Sequence, residues 1–235
     1  MRIAGLQKMT LLDYPGKVAC TVFLQGCNFR CPFCHNSDLL PGGGEEIMTM
    51  EEFLGFLESR KGLLDAVCVS GGEPTLQPDL EELLRCIKAM GYHVKLDTNG
   101  SRPEILQRLV AEKLVDYVAM DIKNSPQGYS HTAGSQTPLC NMEKSMTFLM
   151  EGHVDYEFRT TVVAELHNEE DFHAIAKWLK ALCPQGKARR FFLQSYVDRD
   201  SVLEAGLHAP CKEDLQKYAD ILLPAVDYVN LRGVD

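Results

Sequence analysis

The chain has 235 residues, 45% of them hydrophobic and 24% charged, with a formal net charge of −9. These values exclude wholesale disorder and collagen-like repetition, and 33 Asp plus Glu against 24 Lys plus Arg argues against a broad nucleic-acid face. Met1–Lys8 carries no signal core, no apolar run reaches membrane-spanning length, and the nine cysteines are odd in number, so a cytoplasmic protein with thiols as ligands or packing atoms is expected.

Residues 1–17 read as an N-terminal extension or hairpin on a single domain spanning 1–235. Strands are predicted at Val18–Leu24, Ala66–Ser70, His93–Asp97, Tyr117–Ile122, Tyr156–Val163, Arg190–Gln194 and Asp227–Leu231. Most are nearly continuous apolar runs, as expected of strands covered on both faces. Helices fall between them. Thr49 with Glu52, and Ser101 with Glu104, fit the reciprocal capping box. Leu80, Leu83, Leu84, Ile87 and Met90 recur at helical spacing before a stop at Gly91, and Ile105, Leu106, Leu109 and Val110 repeat the pattern. Further on, Phe172, Ile175, Ala176 and Leu179 follow a cap at Asn168, and Leu215, Tyr218, Ala219 and Leu222 share one stripe. Alternating strands and helices call for parallel β-α units, in an open doubly wound sheet or a complete or partial barrel. Either way the chemistry gathers where strands end and helices begin.

The first predicted strand runs into a loop that holds Cys27, Cys31 and Cys34. Thiols so close together converge on one soft metal centre, zinc or an iron–sulfur cluster. A closed zinc site wants a fourth ligand, and His35, adjacent to Cys34, is poorly spaced to chelate the same ion. The second strand ends in Ser70-Gly71-Gly72-Glu73-Pro74, where the glycines would admit a ligand close to the backbone and Glu73 offers an acceptor for an ammonium group. A plain turn is the competing reading. The third ends in Asp97-Thr98-Asn99-Gly100, and the fourth in Asp121-Ile122-Lys123, whose two charges point to one strand face; a salt bridge is the alternative there.

Together with Thr10-Leu11-Leu12-Asp13-Tyr14-Pro15-Gly16 and Gly26-Cys27-Asn28-Phe29-Arg30-Cys31-Pro32-Phe33-Cys34-His35-Asn36, these motifs resemble the radical S-adenosylmethionine (radical SAM) superfamily. Within it they look like the glycyl-radical-enzyme activases, most of all the long-form branch that serves anaerobic ribonucleoside-triphosphate reductase, with the pyruvate formate-lyase activases as cousins. The resemblance implies a TIM-like partial (β/α)6 barrel, a [4Fe-4S] cluster and S-adenosylmethionine. It implies that Cys27, Cys31 and Cys34 hold three irons, leaving the fourth for the methionyl amine and carboxylate. Phe33, Cys34 and His35 would lie along the adenine, and Gly71, Gly72 and Glu73 would receive the amino group. Asp97, Asp121 and Lys123 would sit near the carboxylate or ribose, with a monovalent cation as a further component. Gln194 stands where the pyruvate formate-lyase activases carry a histidine, so it could hydrogen-bond but not titrate. Reductive cleavage of the sulfonium would give a 5′-deoxyadenosyl radical that takes hydrogen from a backbone glycine of the partner, with flavodoxin or ferredoxin as electron donor and neither nucleic acid nor membrane involved.

The other cysteines read as bystanders: Cys20, Cys68 and Cys86 as packing residues, and Cys140, Cys183 and Cys211 as too scattered for a second cluster. Met90, Met142, Met146 and Met150 read as core or helix-face residues, and His167, His173 and His208 as surface or satisfied polar groups. Arg159 either reaches the methionyl carboxylate or forms an internal ion pair.

Overall fold

The computed structural model describes residues 1–40, 46–183 and 186–234, and its eight strands join one sheet in chain order. They are β1 (Ile3–Thr10), β2 (Ala19–Leu24), β3 (Ala66–Gly71), β4 (His93–Thr98), β5 (Tyr117–Asp121), β6 (Asp155–Val162), β7 (Ala188–Ser195) and β8 (Val226–Arg232). Between them lie α1 (Met50–Ser59), α2 (Leu80–Ala89), α3 (Pro103–Ala111), α4 (Tyr129–Ala133), α5 (Leu139–Met150), α6 (Glu169–Leu182) and α7 (Lys212–Leu222). A doubly wound sheet reverses its strand order at a switch point; an order that never reverses belongs to a (β/α) barrel. The fold is α/β of the partial-barrel kind. β1 pairs antiparallel with β2, and β2–β3, β3–β4, β6–β7 and β7–β8 are parallel.

The strands anticipated from sequence are β2 to β8, with ends displaced by no more than two residues. β1 is the strand that sequence periodicity does not announce. It buries Ile3 and Thr10 at its two ends and leaves the residues between them partly or fully exposed, so neither alternation nor a continuous apolar run marks it. No helix among the described residues is long and apolar enough to cross a membrane.

Contacts divide the chain into two compact units. The first holds Met1–Asn28, Asp38–Thr98 and Arg102–Ala119. In its β3, Ala66, Val67, Cys68 and Val69 are all fully buried, which is the continuous apolar pattern of a strand covered on both faces. Leu80, Leu83, Leu84 and Ile87 form the buried stripe of α2, and the chain leaves that helix through Met90 and Gly91. At the start of α1 the capping box forms as read: Thr49 Oγ1 accepts from the Glu52 amide at 3.2 Å, and Glu52 Oε2 accepts from the Thr49 amide at 2.7 Å. Thr49→Ala is expected to cost about 1 kcal/mol, measured by urea denaturation.

The second anticipated box, Ser101 with Glu104, does not form. The first helical residue of α3 is Pro103, so the cap falls on Arg102, which makes no side-chain capping bond. Proline suits the first turn, where its missing amide would have no helical partner, and it holds the residue before it out of the helix. Ser101 therefore stands one position too early, and its amide donates to Asn99 Oδ1 at 2.9 Å.

The second unit holds Phe29–Ser37, Asn99–Ser101 and Met120–Asp235. Its helices bury Met142, Met146, Leu149 and Met150 on α5, Phe172, Ile175 and Leu179 on α6, and Leu215, Tyr218 and Leu222 on α7. Phe172 and Tyr218 stack at 4.3 Å between ring centroids, so α6 and α7 share one aromatic seam. α6 starts at Asn168 with a capping box closed by Asp171.

Candidate active site

In the first unit, the end of β2 is gripped by the turn that leaves β3. The Gly72 amide donates to Leu24 O at 2.9 Å and the Glu73 amide to Gly26 O at 2.7 Å. This approach needs glycine. A Cβ on Gly71 would lie 2.3 Å from Leu24 O, and one on Gly72 would lie 2.1 Å from Gly26 O. The space those missing methyl groups leave is thus filled by the chain itself, by the segment that leads into Cys27, and not by an open cleft.

Glu73 is fully buried. Its Oε1 accepts from the Thr75 amide at 3.1 Å, from Thr98 Oγ1 at 2.8 Å and from the Thr75 hydroxyl. The carboxylate read from sequence as an acceptor for an ammonium group is therefore engaged in pinning the Gly-Gly turn to the end of β4. Asp97 is held from two strands: Lys95 Nζ donates to Oδ1 at 2.5 Å and Ser70 Oγ to Oδ2 at 3.0 Å. The thiols of Cys20 on β2 and Cys68 on β3 are fully buried, and burial pushes both pKa values up to about 12. They are packing groups, as expected.

In the second unit, the part of the cysteine loop that carries Cys31 and Cys34 is fixed at several points. The Arg30 amide donates to Ala133 O at 2.9 Å, Cys31 Sγ lies 3.7 Å from the same carbonyl, and the Cys34 amide donates to Cys31 O at 3.0 Å. That last bond makes a tight turn carrying two thiols. The segment after β7 clamps the loop's far side. Tyr196 stacks on His35 at 5.5 Å, Ser201 Oγ donates to His35 O at 2.8 Å, the Ser37 hydroxyl donates to Ser201 O, and the Glu204 amide donates to Pro32 O at 3.0 Å. His35 Nε2 is shielded from water and has no hydrogen-bond partner among the described residues. Burial accordingly pulls the His35 pKa down.

Beside this loop lies a charged triad. Asp121 Oδ1 accepts from Arg159 Nε at 2.9 Å and Oδ2 from Lys123 Nζ at 3.0 Å. Burial alone would raise the Asp121 pKa, but Arg159 and Lys123 outweigh it and hold the group at about 2. Burial likewise works to lower Lys123, and Asp121 with the Cys31 sulfur overcomes it, so Lys123 is held above its ordinary range. The Lys123 ammonium stands 5.9 Å from the centre of the Phe33 ring, a cation–π contact that joins the triad to the cysteine loop. Arg159 thus forms the internal ion pair that its sequence left as one of two options. Gln194 pairs in register with Thr161, two residues beyond Arg159, so it shares the strand face that carries the guanidinium.

Sequence reasoning missed the polar residues that brace the backbone around this triad. Thr160 Oγ1 donates to Ile122 O at 2.7 Å, Asn124 Nδ2 donates to Leu166 O at 2.8 Å and Thr132 Oγ1 at 2.7 Å, and Ser125 Oγ donates to Asp171 Oδ1 at 2.6 Å. His167 Nε2 lies 2.9 Å from Lys123 O. The signal available was the polar run Asn124-Ser125 directly after a charged strand end. His167 itself is a satisfied polar group, as read, but a buried one at 4% exposure.

Burial lowers the pKa of His167 below its ordinary 6.5. The unfolded chain therefore binds a proton at this site before the folded one does, and stability falls as the pH drops below 6.5. His167→Gln is expected to show a shallower decline in Tm between pH 7 and pH 5.5 than the unmodified chain. Parallel thermal melts across that window check it; equal slopes would show that this imidazole is not kept neutral.

A sequence model of the Radical SAM superfamily matches residues 21–179, the stretch that carries the three loop cysteines, the Gly71-Gly72-Glu73 turn and the Asp121, Lys123 and Arg159 triad. The chain belongs to the radical SAM superfamily. A Methanocaldococcus jannaschii protein, provisionally described as a glycyl-radical enzyme activating enzyme, is 31% identical across 99% of this chain and 96% of its own length. The Clostridium pasteurianum pyruvate formate-lyase-activating enzyme is 37% identical over 57% of this chain and 57% of its own. The crystal structure of Streptococcus suis SuiB bound to precursor peptide SuiA superposes with a TM-score of 0.70 at 13% identity, covering 91% of this chain and 48% of that one. That likeness shows a shared fold.

Membership in this superfamily makes the protein an enzyme of the oxidoreductase kind that uses a [4Fe-4S] cluster and S-adenosylmethionine. Among the described residues no three His, Cys, Asp or Glu side chains stand close enough to hold a metal ion as they are. The donors nevertheless fit the cluster chemically. Cys31 and Cys34 occupy one turn, Cys27 precedes them by one short loop, and thiolates are the ligands iron–sulfur clusters take. The unpartnered, water-shielded His35 Nε2 is the kind of polar atom that a bound cofactor satisfies.

Proposed function

We propose that this chain is an activase: it takes a hydrogen atom from a backbone glycine of a partner glycyl-radical enzyme, and that partner is anaerobic ribonucleoside-triphosphate reductase. The observation that carries the activase reading is the full-length likeness to the M. jannaschii relative, which leaves almost no part of either chain unmatched. When bound, the cluster and S-adenosylmethionine supply one-electron cleavage of the sulfonium and a carbon radical able to take hydrogen. The rest falls to this chain's residues, which bind, orient and shield.

In this reading Cys27, Cys31 and Cys34 hold the cluster. Phe33, Cys34 and His35 line the adenine, with His35 Nε2 as the polar contact. Gly71 and Gly72 present their backbone to the methionyl amino group while Glu73, from its buried position, keeps that turn in place. Lys123 supplies positive charge for the methionyl carboxylate, because its ammonium reaches over Phe33 while Asp121, shared with Arg159, keeps it protonated. Asp97 and Gln194 are ribose or carboxylate partners, and a monovalent cation would sit with the aspartates. A flavodoxin or ferredoxin delivers the electron, in the cytoplasm.

The test is anaerobic reconstitution with iron and sulfide, followed by reduction with S-adenosylmethionine and each candidate partner in separate tubes. 5′-Deoxyadenosine is followed by chromatography and the glycyl radical by electron paramagnetic resonance. A glycyl signal with the ribonucleotide reductase and with no other partner supports the full reading. A signal with a different glycyl-radical enzyme retains the activase and changes its target. Cleavage with no protein radical moves the activity to a peptide or small-molecule substrate.

A further inference from the structure

His167 lies in the connection between β6 and α6, one residue before the Asn168 cap. Its ring is buried among backbone groups with opposite demands. Nε2 faces the Lys123 carbonyl at 2.9 Å, and Nδ1 faces the Val163 amide at 3.1 Å and the Val163 carbonyl at 3.2 Å. The Lys123 carbonyl can only accept, so the proton belongs on Nε2, and in the neutral ring Nδ1 is then the acceptor for the Val163 amide. Phe172 backs the imidazole at 6.1 Å between centroids. The result is a clip between the end of β6 and the residue in which the β5 segment delivers its ammonium.

We infer that His167 is a positioning residue for cofactor binding, acting through the Lys123 carbonyl to hold the Lys123 ammonium over Phe33. This rests on the reading of Lys123 as the partner of the methionyl carboxylate. The neighbouring bonds fix other atoms: Thr160 holds Ile122 O, and Asn124 ties itself to Leu166 and Thr132. The Lys123 backbone carbonyl is the atom His167 takes. Without that bond the carbonyl is left buried and unpaired, and the peptide turns to find a partner, carrying the lysine stem with it. Asp121, 3.0 Å from the ammonium, would then compete with the cofactor for a charge no longer anchored from behind.

Two substitutions separate this bond from the rest of the ring's role. His167→Gln places an amide N–H where Nε2 stands and keeps the bond to Lys123 O. His167→Asn is one methylene shorter, can still serve the Val163 amide, and cannot reach Lys123. Both go into the cluster-reconstituted enzyme, alone and combined with Lys123→Met. Binding of S-adenosylmethionine is titrated by calorimetry without reductant, so that no turnover occurs, and iron content and Tm are recorded for each.

His167→Asn is expected to weaken binding about tenfold or more at unchanged iron content, and His167→Gln to stay within about threefold of the unmodified enzyme. In the Lys123→Met background, His167→Asn should add no further loss, because both act on one contact. Equal affinities for the Asn and Gln variants overturn the inference, as does an Asn effect that persists in full when Lys123 is absent. If Lys123→Met itself leaves affinity unchanged, the assignment of Lys123 fails and takes the positioning role with it. That outcome is distinct, because it appears before His167 is touched.

Discussion

Cys31→Ala is expected to abolish cluster retention, with iron falling from about four atoms per chain to background and all cleavage of S-adenosylmethionine lost. Cys31 is 7% exposed, and the carbonyl against its sulfur belongs to Ala133, which also receives the Arg30 amide. The thiol is therefore held by the backbone on a loop that cannot swing a substitute into place. Two thiolates remain after the change, and they cannot retain a cluster that needs three. The control is Cys20→Ala. Its thiol is equally sheltered, but burial drives its pKa to about 12, so no thiolate is available at neutral pH and iron should be retained. Iron and labile sulfide per chain, measured after anaerobic reconstitution, decide the matter. Native iron content in the Cys31 variant, or loss of iron in the Cys20 variant, would falsify the ligand assignment.

The contrast between those two cysteines shows what the sequence made legible. Spacing on a strand-end loop marked Cys27, Cys31 and Cys34, and placement inside an apolar run marked Cys20 and Cys68 as packing residues; the burial of Cys20 and Cys68 agrees with the second reading. Parallel strands were legible for a similar reason, since burial on both faces writes continuous apolar runs into β3 and β5. β1 was not, because a strand exposed through its middle leaves no periodic trace. Helix starts were legible where a side chain caps in the ordinary register, as at Thr49 and Asn168. Ser101 misled because Pro103 sets its own start. What the sequence could not carry was long-range employment. Nothing near Glu73 in sequence shows that Thr98 takes its oxygen, and nothing near His167 points to the carbonyl of Lys123, 44 positions earlier.

That difference between local and long-range information governs the second large effect, at the Gly-Gly turn. Read alone, Gly71-Gly72 looks like room for a ligand; in the folded chain the room is occupied by Leu24 and Gly26. Gly72→Ala would set a methyl 2.1 Å from Gly26 O and 2.6 Å from its carbonyl carbon, and Gly71→Ala would set one 2.3 Å from Leu24 O at a φ of +118°. The atoms met are backbone on both sides, so no side-chain rotation relieves the overlap, and L-residues avoid that φ in any case. Each change is expected to destabilise the fold by about 3 kcal/mol or more. The consequence for chemistry follows from connectivity. To clear the methyl, the chain must give up the amide bonds from Gly72 to Leu24 O and from Glu73 to Gly26 O, and Gly26 is joined directly to Cys27. Gly72→Ala should therefore lose cluster iron as well as stability, by displacing a ligand that is not itself altered. Gly55→Ala is the control: a Cβ there meets nothing within 4 Å, and Gly55 lies inside α1, so stability should rise by about 0.5–1 kcal/mol. Chemical denaturation and iron analysis on the three variants test the argument. If Gly72→Ala melts and holds iron like the unmodified chain, the turn is free to move and the glycines are kept for the ligand, not for the grip on Gly26.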